Sequence, residues 1–175
     1  CKVCEAGSFS GVGEGGCTSC VGGKHLAISD EPADHDSVED CVDCLAGQFS
    51  TERSGLCIVC EAGMHSGVSS PECFECPLGK FSNLNSADCT SCAPGSFSNT
   101  TRTPNKCREC RAGEYGTATG ATSIDACSSC PAGKYSNSTG SSECVDCVLG
   151  KYNNFTGQME TSCLKCDQGF YNDEA

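Results

Sequence analysis

The sequence predicts a small disulfide-rich fold: an elongated tandem-repeat solenoid of ten Cys-x-x-Cys units, with short β pieces and little helix. Three observations predict it. Twenty of the 175 residues are cysteine, a density typical of disulfide scaffolds rather than of domains built on an apolar core. All twenty fall into Cys-x-x-Cys pairs: Cys1/Cys4, Cys17/Cys20, Cys41/Cys44, Cys57/Cys60, Cys73/Cys76, Cys89/Cys92, Cys107/Cys110, Cys127/Cys130, Cys144/Cys147 and Cys163/Cys166. The pairs recur every 16 to 20 residues, with one step of 24, and self-similarity at a nearly fixed period marks a repeat architecture. Residues 1–175 read as one continuous array, with units starting near 4, 20, 44, 60, 76, 92, 110, 130, 147 and 166.

Each unit carries two further marks. Three residues after the second cysteine stands a glycine: Gly7, Gly23, Gly47, Gly63, Gly79, Gly95, Gly113, Gly133, Gly150 and Gly169. A position that takes glycine every time needs positive φ or close backbone approach. Five residues after the second cysteine stands a flat ring: Phe9, His25, Phe49, His65, Phe81, Phe97, Tyr115, Tyr135, Tyr152 and Tyr171. With no tryptophan and 6% aromatics, that ring is the one sizeable apolar contact per unit, and it is expected to lie over a disulfide as a miniature core. After the ring the length varies, and the tips are rich in Ser, Thr, Asn and Gly, as in SNSTGSS. Such stretches are turns and exposed loops. No segment sustains a helical period.

Four cysteines spaced C-x2-C-x12-C-x2-C can hold zinc, so five zinc ribbons are arithmetically possible. Irregular intervals, the recurrent glycine and ring, and three glycosylation sequons favour disulfides in an oxidising compartment. Two pairings suit the repeat. In one, the second cysteine of each pair bonds the first of the next: Cys4–Cys17, Cys20–Cys41, Cys44–Cys57, Cys60–Cys73, Cys76–Cys89, Cys92–Cys107, Cys110–Cys127, Cys130–Cys144 and Cys147–Cys163. Each loop then encloses one glycine and one ring. The rival joins pairs two by two, as Cys1–Cys17 with Cys4–Cys20, and leaves no cysteine over.

Segments such as CPAGKYSNSTGSSEC (Cys130 to Cys144) and CPLGKFSNLNSADC (Cys76 to Cys89) resemble the ephrin-receptor-like cysteine-rich repeat. They are also similar to the first small module of tumour necrosis factor receptor repeats, within the wider growth-factor-receptor cysteine-rich superfamily. The resemblance implies the sequential pairing, since in that module the opening and closing cysteines bond each other and the ring packs on them. Cys1 and Cys166 then pair outside this stretch, which reads as part of a longer array. The sequence departs from the pattern where His25 and His65 replace the aromatic ring, in an insertion between Val21 and Asp40, and in lacking the second receptor-type module.

Sequons stand at Asn99, Asn137 and Asn154, all seven residues after a second cysteine and two after a ring. That shared register on an exposed loop predicts N-linked glycans. Asn83 shares the register but has no Ser or Thr two residues on. The insertion gathers Asp30, Glu31, Asp34, Asp36, Glu39 and Asp40 around His35, and Asp30, Asp34 and Asp36 form a weak calcium candidate of hard oxygen ligands. No other cofactor is expected. No phosphate loop, metalloprotease helix motif or nucleophile elbow appears, so no catalytic residue is assigned and the chain reads as a non-enzyme.

A net charge of -12 excludes the basic footprint of nucleic-acid binding and disfavours anionic lipid. No apolar run is long enough for membrane insertion. The expectation is a secreted or cell-surface structural glycoprotein, a disulfide-stapled rod forming part of a stalk, fibre or surface filament. Its partners would be copies of itself or flanking repeats head to tail, other extracellular proteins, and glycans. The alternative is a receptor or adhesin ectodomain that binds a protein ligand through the repeat loops.

Overall fold

The structure, a computed structural model, describes residues 2–171. Its regular structure is two- or three-residue strands, most of them in two-stranded antiparallel pairs, and four short 3-10 turns, Pro32–His35, Val38–Asp40, Ile124–Ala126 and Glu160–Ser162. One rule generates the pairs. The ring and the residue before it pair with the two residues inside the next Cys-x-x-Cys. Thus Gln48–Phe49 pairs with Ile58–Val59, Met64–His65 with Phe74–Glu75, and Lys134–Tyr135 with Val145–Asp146. The two residues between paired cysteines are therefore half of a hairpin rather than a bare link. The hairpin is closed when the second cysteine's N–H donates to the preceding unit's glycine carbonyl, as in Cys60 to Gly47 and Cys130 to Gly113.

The chain divides into two compact units. The first comprises Cys1–Cys76 with Ser82–Thr90, the second Pro77–Phe81 with Ser91–Ala175. The same repeat runs through both.

The interior of each unit is sulfur. Cys20, Cys44, Cys60 and Cys76 in the first unit, and Cys92, Cys110, Cys130 and Cys147 in the second, are at most 2% exposed. The rings sit further out than expected. Phe97 is buried, but Phe9, His25, Phe49, His65, Phe81, Tyr115, Tyr135 and Tyr152 are half-exposed and Tyr171 is exposed. The reason is geometric: a two-stranded ribbon has no second layer to cover its outer face. In the two-stranded ribbons each ring is flanked by the first residue after a cysteine. His65 meets Phe74 with centroids 6.2 Å apart, and the Arg108 guanidinium lies 5.6 Å from the Phe97 centroid.

Candidate functional site

The structure closes nine disulfides: Cys4–Cys17, Cys20–Cys41, Cys44–Cys57, Cys60–Cys73, Cys76–Cys89, Cys92–Cys107, Cys110–Cys127, Cys130–Cys144 and Cys147–Cys163. Sulfurs meet in twos, second cysteine to next first cysteine, rather than in fours around a metal. Cys166 is unpaired, and Cys1 lies outside the described residues. Disulfides alone would leave neighbouring loops free to swivel about their short connections. A hydrogen-bond ladder prevents this, and it depends on a position the sequence reading passed over.

That position follows the ring. Its occupants Ser50, Ser66, Ser82, Ser98 and Ser136 are no more than 3% exposed, and Asn153 is 5% exposed. The carbonyl of this residue accepts the N–H of the preceding unit's glycine, as Gly23 to Ser50, Gly47 to Ser66, Gly79 to Ser98 and Gly113 to Ser136. In four of them the side chain donates back to the preceding unit: Ser50 Oγ to Lys24 O, Ser66 Oγ to Gln48 O, Ser82 Oγ to Met64 O, and Asn153 Nδ2 to Lys134 O; Ser98 Oγ and Ser136 Oγ donate instead within their own loops, to Thr100 O and Ser138 O. A small polar side chain suits this position because it fits against the neighbouring backbone and gives a carbonyl its donor.

A second rung reaches two units along. The glycine packs its bare Cα against a loop tip whose own backbone has positive φ. Gly23 meets Ser69, Gly47 meets Asn85, Gly95 meets Gly140 and Gly113 meets Gly157. The tip's N–H donates to the carbonyl of the intervening unit's opening cysteine, as Ser69 to Cys44 O, Gly140 to Cys110 O and Gly157 to Cys130 O.

The insertion folds into two 3-10 turns. Ser37 caps the second, with its Oγ accepting from Glu39 N while Asp40 Oδ2 accepts from Ser37 N and Asp36 N. His35 anchors it. Only 3% exposed, His35 holds Ser8 O at 2.9 Å through Nδ1, and its carbonyl accepts from Ser10 N, while Nε2 is buried without a partner. Asp34 accepts from Ser29 Oγ at 2.6 Å, and Asp30 and Asp36 are exposed. Among the described residues, the calcium candidates Asp30, Asp34 and Asp36 do not converge within ligating range of one another. The one such group is His25, Cys44 and Cys57, but both sulfurs are closed in a disulfide and are not thiolate ligands. His25 Nδ1 instead lies 3.1 Å from both Val42 O and Cys57 Sγ.

Asn99, Asn137 and Asn154 are exposed. Asn137 also bridges to the next repeat, with Nδ2 donating to Glu160 Oε2 and Oδ1 accepting from Glu160 N.

This geometry recurs around the segment on which a family comparison falls. The family model for tyrosine-protein kinase ephrin type A/B receptor-like sequences matches residues 79–127. This segment is ephrin-receptor-like. The repeats before and after it carry the same cysteine, glycine and ring register and the same disulfide pattern, which fits a run of cysteine-rich receptor-like repeats. No curated protein gave a significant match. Ephrin-receptor-like repeats with this disulfide density suit an extracellular setting, and they form a receptor-like or structural module rather than a typical enzyme fold. No helix among the described residues is long and apolar enough to cross a membrane.

Proposed function

We propose that this chain is a structural segment of a secreted or cell-surface glycoprotein, part of a stalk, fibre or surface filament that resists extension and proteolysis. One observation supports this reading most directly: nine successive repeats are each crosslinked within themselves, backbone hydrogen bonds join neighbouring repeats, and six repeat glycines, from Gly7 to Gly113, also pack against the repeat beyond. Closing a 15-residue loop removes about 3 kcal/mol of unfolded-state freedom in the chain-entropy account. Nine closures compensate for the missing oily interior. Glycans at Asn99, Asn137 and Asn154 would cover exposed loops and slow proteases. Neighbouring copies or flanking repeats would continue the array through Cys1 and Cys166.

Pulling on single molecules tests the idea. Between Cys4 and Cys163 the oxidised chain can lengthen only through eight Cys-x-x-Cys connections and nine disulfide spans of 5.6–5.9 Å, about 130 Å in all at ~3.5 Å per residue. The reduced chain reaches about 550 Å by the same measure. A small extension that grows about fourfold with reductant is expected. Full extension without reductant would refute the mechanical role.

A further inference from the structure

The two compact units differ in charge. The first contains fourteen acidic and three basic residues, a formal charge of −11, and the second nine and eight, a charge of −1. All three sequons fall in the second. The first unit therefore presents a surface that is strongly negative and free of sequons, and the insertion gives that surface a shape.

Two adjoining hollows lie beside the insertion, of about 620 and 580 Å³, sharing His25, Ala27 and Val42 in their walls. Their apolar lining is open to solvent: Ile28 is 79%, Val42 56%, Leu45 69% and Leu56 60% exposed. Their rim is acidic, with Asp34, Glu39 and Asp40 around one and Asp43 beside the other. Two of this unit's three cations are committed elsewhere than to Asp34, Glu39 and Asp40: Lys24 pairs with Asp43 at 3.0 Å and Arg53 with Glu5 at 2.9 Å. His35, buried beneath the insertion, ties this wall to Ser8 and Ser10, so the groove exists before anything binds. Exposed aliphatic side chains gathered in a concave site mark an interaction surface. An acidic rim selects the sign of the partner's charge and raises its rate of encounter.

We propose that this groove docks a cationic, extended segment of a partner protein, in which Lys or Arg residues alternate with aliphatic side chains. The aliphatic groups enter between Ile28, Val42, Leu45 and Leu56, and the cations face Asp34, Glu39 and Asp40. The proposal is independent of the structural role above, because a stalk can carry a docking face as well as an ectodomain can.

The test uses the full oxidised chain and fluorescence anisotropy with three synthetic twelve-residue peptides: alternating Lys-Leu, all-Lys, and alternating Glu-Leu. Lys-Leu is expected to bind at least tenfold more tightly than the other two, and to weaken as salt rises from 50 to 200 mM. Leu56→Ser and Leu45→Ser, at exposed positions where substitution leaves folding intact, should each weaken it about tenfold, and Glu39→Lys severalfold. Leu149→Ser in the second unit, 66% exposed, should change nothing. All-Lys binding as tightly as Lys-Leu would reduce the face to charge alone and overturn the proposal. So would equal binding of Glu-Leu, indifference to Leu56→Ser and Leu45→Ser together, or displacement of Lys-Leu by millimolar calcium with both serine variants inert.

Discussion

Replacing Gly113 by alanine isolates the contact between a repeat and the second one beyond it. Gly113 and Gly133 occupy the same place in successive repeats, and both have φ of 83°. Any L side chain in that left-handed region costs about 1 kcal/mol, so the conformational term is common to the two. Their surroundings differ. At Gly133 a Cβ meets nothing within 4 Å, whereas at Gly113 it would fall 2.7 Å from the Gly157 carbonyl carbon and 3.4 Å from Gln158 N. The Gly157 tip would have to retreat by about an ångström to reach ordinary van der Waals separation. That retreat strains the bonds from Gly157 N to Cys130 O and from Gly113 N to Ser136 O, each 2.8 Å and each worth about 1 kcal/mol. Gly113→Ala should therefore cost about 3 kcal/mol locally, and Gly133→Ala about 1. Amide hydrogen exchange reads this directly. Protection of the Gly157 amide should fall on the order of 100-fold in the first variant, while the second should lose about 5-fold around its own site. Equal losses in the two variants would show that the glycine register serves only the local turn, and the ladder argument would fail.

Three further outcomes follow from the same structure. Ser66→Ala removes from a fully buried position the hydroxyl that donates to Gln48 O and should destabilise the first unit by about 1–2 kcal/mol, read as faster exchange at Gly47, whose N–H bonds to Ser66 O; an unchanged rate would remove the serine from the ladder. Asp43 is held below the ordinary aspartate range, first by the Ser69 hydroxyl and then by Lys24. A depressed folded value means its contribution is complete above the unfolded value of about 3.9 and is lost as pH falls through the lower folded one. A carboxyl-carbon titration should thus show a low midpoint that rises in Ser69→Ala, and an unmoved midpoint would contradict the assigned cause. Peptide mapping after enzymatic deglycosylation of the secreted protein should find sugar scars at Asn99, Asn137 and Asn154 and none at Asn83; unmodified asparagines at all three sequons would remove the glycan shield.

Much of the fold was legible because cysteine, glycine and the ring each repeat in a fixed register, and each has one dominant physical use. Serine follows the ring in six of the ten units, at Ser10, Ser50, Ser66, Ser82, Ser98 and Ser136. It escaped notice because serine in a Gly- and Asn-rich loop reads as solvated. Its burial is created by the backbone of the preceding repeat, which no local pattern reveals. The same is true of His35. In sequence it is one more polar residue in an acidic stretch, but in the structure it is the buried post that fixes the insertion. The strand pairing of the residues between paired cysteines is not legible in sequence, because two residues are too few to show strand alternation. The groove needed the folded insertion beside the Val42 ribbon, and so was visible only in three dimensions.

The central claim is that sulfur crosslinks, made in order along the chain, stand in for an apolar core. Proteolysis of the unreduced protein with free thiols blocked, followed by mass spectrometry of the linked peptides, tests it most directly. The account predicts nine bridges, from Cys4–Cys17 through Cys147–Cys163, each joining the second cysteine of one pair to the first of the next. Bridges of the Cys1–Cys17 and Cys4–Cys20 kind, or cysteines recovered as blocked thiols with stoichiometric zinc, would contradict it.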